Sequence, residues 1–253
     1  MIRVFIIGTG NLAHALAEAF SKTGALQGVY GRKPDAAARL GNKFHVPFCS
    51  KIADVPASAD VYFLAVSDQA IAELASGLRV DGIIAHCSGM MDLQTLAPHE
   101  KTGAFWPLQS FNKNSPSVFH NMPVCIETAR EEVMQTLASL AENIGARTQR
   151  VSEKQRQLLH LSAVLCNNFP NHLYALAASL LRKNRLDFDL LKPIILQTAV
   201  KIKDVDPSKL QTGPAIRHDD VTLRKHLKLL ESEENLRTLY ELLSRSIQQL
   251  GED

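Results

Sequence analysis

Proline and glycine are sparse in this chain, 11 and 13 of 253 residues, which leaves little room for extended disorder. Cysteine is sparser still. Cys49, Cys87, Cys125 and Cys166 stand far apart, with no C-x-x-C pair and no metal-finger spacing among them and the nine histidines. That argues against a disulfide framework and against a metal site, and the four read as free thiols in a reducing compartment. Nor is there an excess of charge of one sign: 28 basic residues against 26 acidic ones give a formal +2, so no overall field would draw in nucleic acid or an anionic membrane. Met1 leads at once into the apolar run 2–7, with no basic n-region, no longer h-region and no small-residue cleavage site, so a cytoplasmic protein is expected. Between Arg156 and Arg182 no Lys, Arg, Asp or Glu occurs. His160, Asn167, Asn168, Pro170, Asn171 and His172 in that stretch are too many polar groups for hydrocarbon, and a buried helix of a water-soluble protein is expected instead of a membrane span.

Hydrophobic residues make up 45% of the chain and charged ones 21%, the proportions of a globular protein able to bury a real core. Up to residue 151 short apolar runs alternate with helical spacing. Strands are expected at 3–7, 27–30, 46–49, 61–66, 82–86, 103–106, 124–127 and 147–151, with helices at 12–22, 35–42, 69–78 and 130–144. That alternation is the pattern of a doubly wound, mostly parallel sheet wrapped by helices, an α/β Rossmann domain. From residue 152 onward the strand signal stops and helical patterns take over, at 153–183, 190–203, 219–230 and 234–250. The expected organisation is therefore a Rossmann domain over 1–151 and an all-α domain over 152–253.

The first strand runs into Gly8-Thr9-Gly10-Asn11-Leu12-Ala13, a G-x-G-x-x-A turn opening a helix with apolar positions at Leu12, Leu16, Ala17 and Phe20. Gly8 permits the tight turn, Gly10 lets the backbone approach a pyrophosphate, and Ala13 allows close packing of helix on strand. The helix N-terminus then offers free N–H groups and the positive end of its dipole to phosphates. A glycine turn can also be purely structural, but its place between an apolar strand and an amphipathic helix favours a dinucleotide. The end of the second strand selects the dinucleotide. Where an NAD site carries Asp or Glu, this chain has Gly31-Arg32-Lys33, whose cations suit a 2′-phosphate. The competing reading is that Arg32 and Lys33 are solvated charges ahead of a helix begun by Pro34 and Asp35.

Ligands of an open parallel sheet sit at the carboxyl ends of its strands. The fourth strand ends in Ala65-Val66-Ser67-Asp68, along which a cofactor would pass, although Ser67 or Asp68 can equally cap the following helix. The fifth ends in His86-Cys87-Ser88-Gly89 and the sixth in Trp106-Pro107-Leu108-Gln109-Ser110-Phe111. In the long helix from residue 153, Leu158, Leu161, Leu165, Phe169, Leu173, Leu176 and Leu180 form one stripe, and His160, Val164, Asn167, Asn171 and Tyr174 the opposite face. That face is polar but uncharged, which suits a cleft or a subunit interface better than open solvent. Pro170 removes a helical hydrogen bond and predicts a kink, and the flanking asparagines can serve either the freed backbone or a ligand. His160 and His86 are the candidate acid or base, since histidine titrates near neutrality, with Ser88 and Asn168 as orienting groups. His160 can equally be a satisfied interior residue. Arg217 either clamps a substrate anion or makes a surface ion pair, and Asp219 reads as a helix cap.

With both halves in view, the chain resembles the 6-phosphogluconate dehydrogenase-like superfamily, in which a Rossmann domain precedes an all-helical dimerising domain. Pyrroline-5-carboxylate reductase and the deazaflavin-dependent NADP oxidoreductases look like its nearest well-known relatives. More narrowly, it resembles the Rossmann-like proteins whose helical half is a domain of unknown function. Pro107-Leu108-Gln109-Ser110-Phe111, His160-Leu161-Ser162-Ala163 with Asn167-Asn168-Phe169, and Thr212-Gly213-Pro214-Ala215 carry that resemblance over essentially the whole chain. It implies NADP(H) bound through Gly8, Gly10, Asn11, Leu12 and Arg32, with Ala65, Val66 and Ser67 along the cofactor, and a homodimer formed through the helical domain. The sugar-acid and hydroxyacid members place a catalytic Lys four residues before an Asn in the first long helix. Here Val164 precedes Asn168, and no Lys lies between Lys154 and Lys183, so that mechanism does not transfer. The expectation is an NADP(H)-dependent oxidoreductase acting on a small carbonyl, imine or similar molecule. The alternatives are a non-catalytic NADP(H) sensor acting through its dimer and a structural protein with a vestigial fold.

Overall fold

A computed structural model describes residues 1–112 and 119–250. The chain divides into two compact units, Met1–Cys166 and Asn167–Asp253. The first is built on an eight-stranded sheet of β1 (Val4–Ile7), β2 (Leu26–Tyr30), β3 (Phe48–Cys49), β4 (Val61–Leu64), β5 (Ile83–His86), β6 (Thr102–Pro107), β7 (Pro123–Glu127) and β8 (Arg147–Arg150), in spatial order 3-2-1-4-5-6-7-8. All neighbours are parallel except β6 and β7, so the expected mostly parallel Rossmann sheet is present. The order reverses between β1 and β4, which leaves a crevice beyond their carboxyl ends.

Helices α1 (Asn11–Lys22), α2 (Pro34–Phe44), α3 (Asp68–Gly77) and α4 (Glu131–Asn143) connect the strands. The apolar run of β1 has no hydrophobic alternation because both its faces are covered. Val4 and Ile6 pack with Leu16, Ala17 and Phe20 of α1 and Leu137 and Leu140 of α4. Phe5 and Ile7 point the other way, to Ile71 and Ala75 of α3. Phe20 stacks on Phe63 at 5.5 Å between ring centroids, and Phe63 meets Phe105 at 4.7 Å, which fixes α1 on the centre of the sheet.

Helix α5 (Glu153–Ala163) opens on a capping box in which the Ser152 hydroxyl accepts from the Gln155 N–H and the Gln155 side chain accepts from the Ser152 N–H. A π turn, Val164–Asn168, follows it and precedes α6 (Phe169–Lys183). This is where the sequence predicted a kink. The altered spacing puts Pro170 at the second position of α6, where a helix needs no N–H donor, so the break falls before the proline and not at it.

The second unit holds α6, α7 (Lys192–Lys201), α8 (Asp220–Leu229) and α9 (Glu234–Gln249). His226 Nδ1 lies 2.7 Å from the Tyr240 hydroxyl, joining α8 to α9, and Lys183 pairs with Glu233. Among the described residues of this unit only Ala215 and Leu230 are buried. The expectation of a buried helix over 157–181 is not met within one chain: Leu158, Leu161, Leu165 and Phe169 are each 54–55% exposed. The apolar stripe exists, but nothing in the described residues covers it.

Candidate functional site

The site begins where β1 turns into α1. Gly8 adopts φ +133°, and a Cβ placed on it would lie 2.2 Å from the Ala65 carbonyl oxygen. Only glycine fits, for reasons internal to the fold. Gly10 is different. It has an extended backbone at φ −79° that any residue adopts, and a Cβ there would meet nothing within 4 Å. The fold does not need a glycine at that point, so the space above Gly10 is an opening that a side chain would invade. Gly10 is also the N-cap of α1, with no side-chain hydrogen bond capping the helix and no acidic residue in its first turn. The opening therefore faces uncapped N–H groups, the donors a diphosphate uses.

A cavity of about 470 Å³ lies over this turn, lined among others by Gly8, Thr9, Gly10, Asn11, Leu12, Gly31, Arg32, Lys33, Ala65, Val66 and Ser67. Every cofactor residue expected from the sequence thus lines one space at the carboxyl ends of β1, β2 and β4. Arg32 and Lys33 are exposed, and neither forms an ion pair among the described residues. Ser67 is the N-cap of α3, yet its side chain makes no capping bond, leaving the hydroxyl available to the cavity. Asn11 has a second attachment: its Nδ2 donates to the Phe111 carbonyl at 2.9 Å, tying the start of α1 to the segment after β6. Tyr30, Ala70, Glu73 and Leu74 also line the cavity and were not anticipated. Residues 70, 73 and 74 share one face of α3, so helical spacing carried forward from Ser67 is the signal that would have found them.

Beyond β5 and β6 a second group of residues gathers. His86 is fully buried; its Nδ1 accepts from the Ser88 N–H at 3.3 Å, and its Nε2 finds no partner among the described residues. Burial, assisted by the positive charge of Arg156, holds its pKa down at about 4. The Ser88 side chain turns the loop, its Oγ accepting from the Met90 and Met91 N–H groups at 3.0 and 3.1 Å. His160, half-buried on α5, sets its ring 5.7 Å from that of Trp106 and so close to Gly89 that a Cβ there would lie 2.4 Å from His160 Cδ2. The sequence treated Arg156 as an end of an uncharged stretch. It is the one buried arginine or lysine among the described residues, bonded to Glu127. Asn168 lies exposed on the π turn, in the helical unit, whereas His86, Ser88 and His160 belong to the sheet unit. Arg217 is exposed, and Asp219 caps α8 by accepting from the Thr222 N–H.

Known proteins resemble both parts of the chain. Residues 3–85 match the family described as NADP oxidoreductase coenzyme F420-dependent, and residues 122–247 match one described as a domain of unknown function, DUF2520. Among solved structures, a protein of Bacteroides fragilis provisionally named an NADP oxidoreductase is 36% identical over 98% of each chain, with a TM-score of 0.91. A Thermotoga maritima protein matches at 21% identity and a TM-score of 0.74, and 1-pyrroline-5-carboxylate reductase of Streptococcus pyogenes at 15% and 0.64, each again over 98% of both chains. At those identities the last two share the fold. None of the curated proteins compared with the chain matches it. No helix among the described residues is long and apolar enough to cross a membrane. Fold and family together define an NADP-binding Rossmann oxidoreductase. The chain belongs to the family of the Bacteroides fragilis protein, and in this chain the Rossmann segment is followed by DUF2520.

Proposed function

We propose that the chain is an NADP(H)-dependent oxidoreductase acting on a small carbonyl or imine substrate. The observation that carries this reading is the glycine that the fold does not require, Gly10, standing open to a cavity lined by every expected cofactor residue. In this reading the diphosphate lies on the first turn of α1, Arg32 and Lys33 hold the 2′-phosphate, and Ala65, Val66 and Ser67 line the path toward the nicotinamide. Bound there, the cofactor supplies the hydride chemistry. The chain's own residues must then supply a proton and a place for the acceptor. Of the two histidines, His160 suits proton transfer. His86 is sealed from solvent and takes up a second proton only near pH 4, so at neutral pH it is a fixed neutral group. Ser88 sets the loop beneath, and Asn168 is kept as a candidate orienting group. The likeness to 1-pyrroline-5-carboxylate reductase is what favours an imine or carbonyl over a sugar acid. The absence of lysine between Lys154 and Lys183 points the same way.

The half-exposed stripe of Leu158, Leu161, Leu165 and Phe169 is proposed to be covered by a second copy of the chain. Light scattering should return twice the mass of one chain.

The test of the cofactor reading is Arg32→Glu. Losing a charge-assisted contact, worth roughly 1.5–3 kcal/mol, lowers NADPH affinity about ten- to a hundredfold. NADH affinity should change far less. Equal loss for both in calorimetric titrations removes Arg32 from the phosphate. A second reading, a sensor that binds NADP(H) without turnover, draws on the same missing lysine. It would be favoured by NADPH that stays bound and unconsumed when small carbonyls and imines are offered.

A further inference from the structure

Arg156 is 0% exposed, although an apolar residue at its place would fasten α5 to the sheet without burying a charge. What the guanidinium adds is a fork that reaches several acceptors at once. Its Nε donates to Glu127 Oε2 at 2.9 Å, and Nη2 lies 2.8 Å from the same oxygen. Nη1 donates to the Ser88 carbonyl at 3.0 Å, and Nη2 to the Met91 carbonyl at 2.6 Å. One side chain thereby joins three segments: the end of β7, the loop after β5, and α5 itself. One turn further along α5, His160 rests over Gly89 of that same loop and against Trp106 of β6. Leu159, between them, packs on the cluster of Trp106, Cys125 and Val151.

We propose that Arg156 is a positioning residue for the reaction: by fastening the 88–91 loop and the end of β7 to α5, it fixes His160 over Gly89 and against Trp106. The proposal rests on the reading of His160 as the acid or base. Its consequence is that the proton-transfer group belongs to the same unit as the glycine turn, Met1–Cys166. The other ionisable groups around the fork are Glu127, His86, Cys125 and Asp92.

The chain carries a built-in reporter. Trp106 is its one tryptophan, and an imidazole held in ring contact quenches indole emission. Trp106 emission of the full-length protein is recorded at pH 8, far above the range in which His86 gains a proton. The expected result is an emission quenched relative to that of His160→Ala. Arg156→Lys keeps the charge but reduces the fork to one nitrogen; it should lose more than about half of the quench amplitude while NADPH affinity stays within about twofold. Gly89→Ala, whose new methyl group collides with the His160 ring, should lose it too with the arginine intact. Should Arg156→Lys not fold, Glu127→Gln keeps the bonds to the two carbonyls and is expected to lose a smaller part of the amplitude.

A folded Arg156→Lys with the full quench overturns the proposal, as does a His160→Ala protein whose emission equals that of the parent. Loss of quench and NADPH binding together also overturns it, because the residue would then be supporting the unit as a whole. Failure of the functional reading looks different. A parent protein that binds no NADPH, or NADPH turnover that survives His160→Ala, removes that reading and leaves the fluorescence result untouched.

Discussion

The sheet unit and the helical unit follow opposite rules of construction. In the first, both faces of β1 are covered, and residues far apart in sequence close on one another, as Phe20, Phe63 and Phe105 do. In the second, only Ala215 and Leu230 are buried among the described residues, while Leu190, Ile194 and Leu229 stand 72%, 61% and 77% exposed. Conformational entropy must be offset by burial. In the dimer proposed above, the helical half would gain that burial from the second copy, whereas the cofactor half gains it within one chain.

The sharpest way to break that comparison is to alter the stripe. Replacing both Leu161 and Leu165 by Glu removes two apolar side chains worth about 1.5–3 kcal/mol each when buried, and a two-fold interface counts each twice. The expected outcome is a monomer by light scattering whose NADPH affinity is nearly unchanged. A double variant that still runs as a dimer would mean that the stripe is not the contact surface.

Gly8→Ala strikes the glycine turn, in the same unit as Leu161 and Leu165 but far from them in sequence. With φ +133° and a backbone oxygen 2.2 Å from the added carbon, the turn cannot relax cheaply, and a loss of about 3 kcal/mol or more is expected in denaturant unfolding. His86 should impose a pH dependence of similar size. Its folded pKa is lowered to about 4 from 6.5, so the unfolded chain binds the proton first as pH falls. The stabilising effect of neutral His86 is fully present above pH 6.5 and is lost progressively down to about pH 4, a total of about 3 kcal/mol. Urea midpoints measured across that window should fall more steeply for the parent than for His86→Gln. Parallel curves would show that the imidazole is not sealed off.

Much of this was legible in the residues, and the exceptions share a cause. All eight strands were foreseeable because β-periodicity and turn chemistry are local, and the cofactor cavity followed from Gly8, Gly10 and Arg32 because a phosphate site is assembled from strand ends whose order the fold dictates. Arg156 was not. Its meaning depends on Glu127, 29 residues away, and on two carbonyls more distant still, and no spacing rule links them. Ser88 and His86 were recognised as strand-end polar groups, but whether such a group meets a ligand or its own loop is decided by backbone geometry. The leucine stripe was plain as a pattern; that no described segment covers it was not. Pro170 announced a break in the helix, and the π turn placed that break ahead of it.

The smallest of the expected effects separates the two glycines of the turn. Gly10→Ala meets no atom within 4 Å and needs no unusual backbone, so the fold should lose only about 0.5–1 kcal/mol, the difference between glycine and alanine as a helix N-cap. The methyl group would project into the space a diphosphate needs. NADPH affinity should therefore fall about tenfold or more, roughly 1.4 kcal/mol, in a protein whose unfolding is close to that of the parent. Gly8→Ala is expected to do the reverse, damaging the fold whether or not a nucleotide is present. If Gly10→Ala binds NADPH as the parent does, the opening above the first turn of α1 is not where the cofactor lies, and the whole of its path along Arg32 and Ser67 would have to be redrawn.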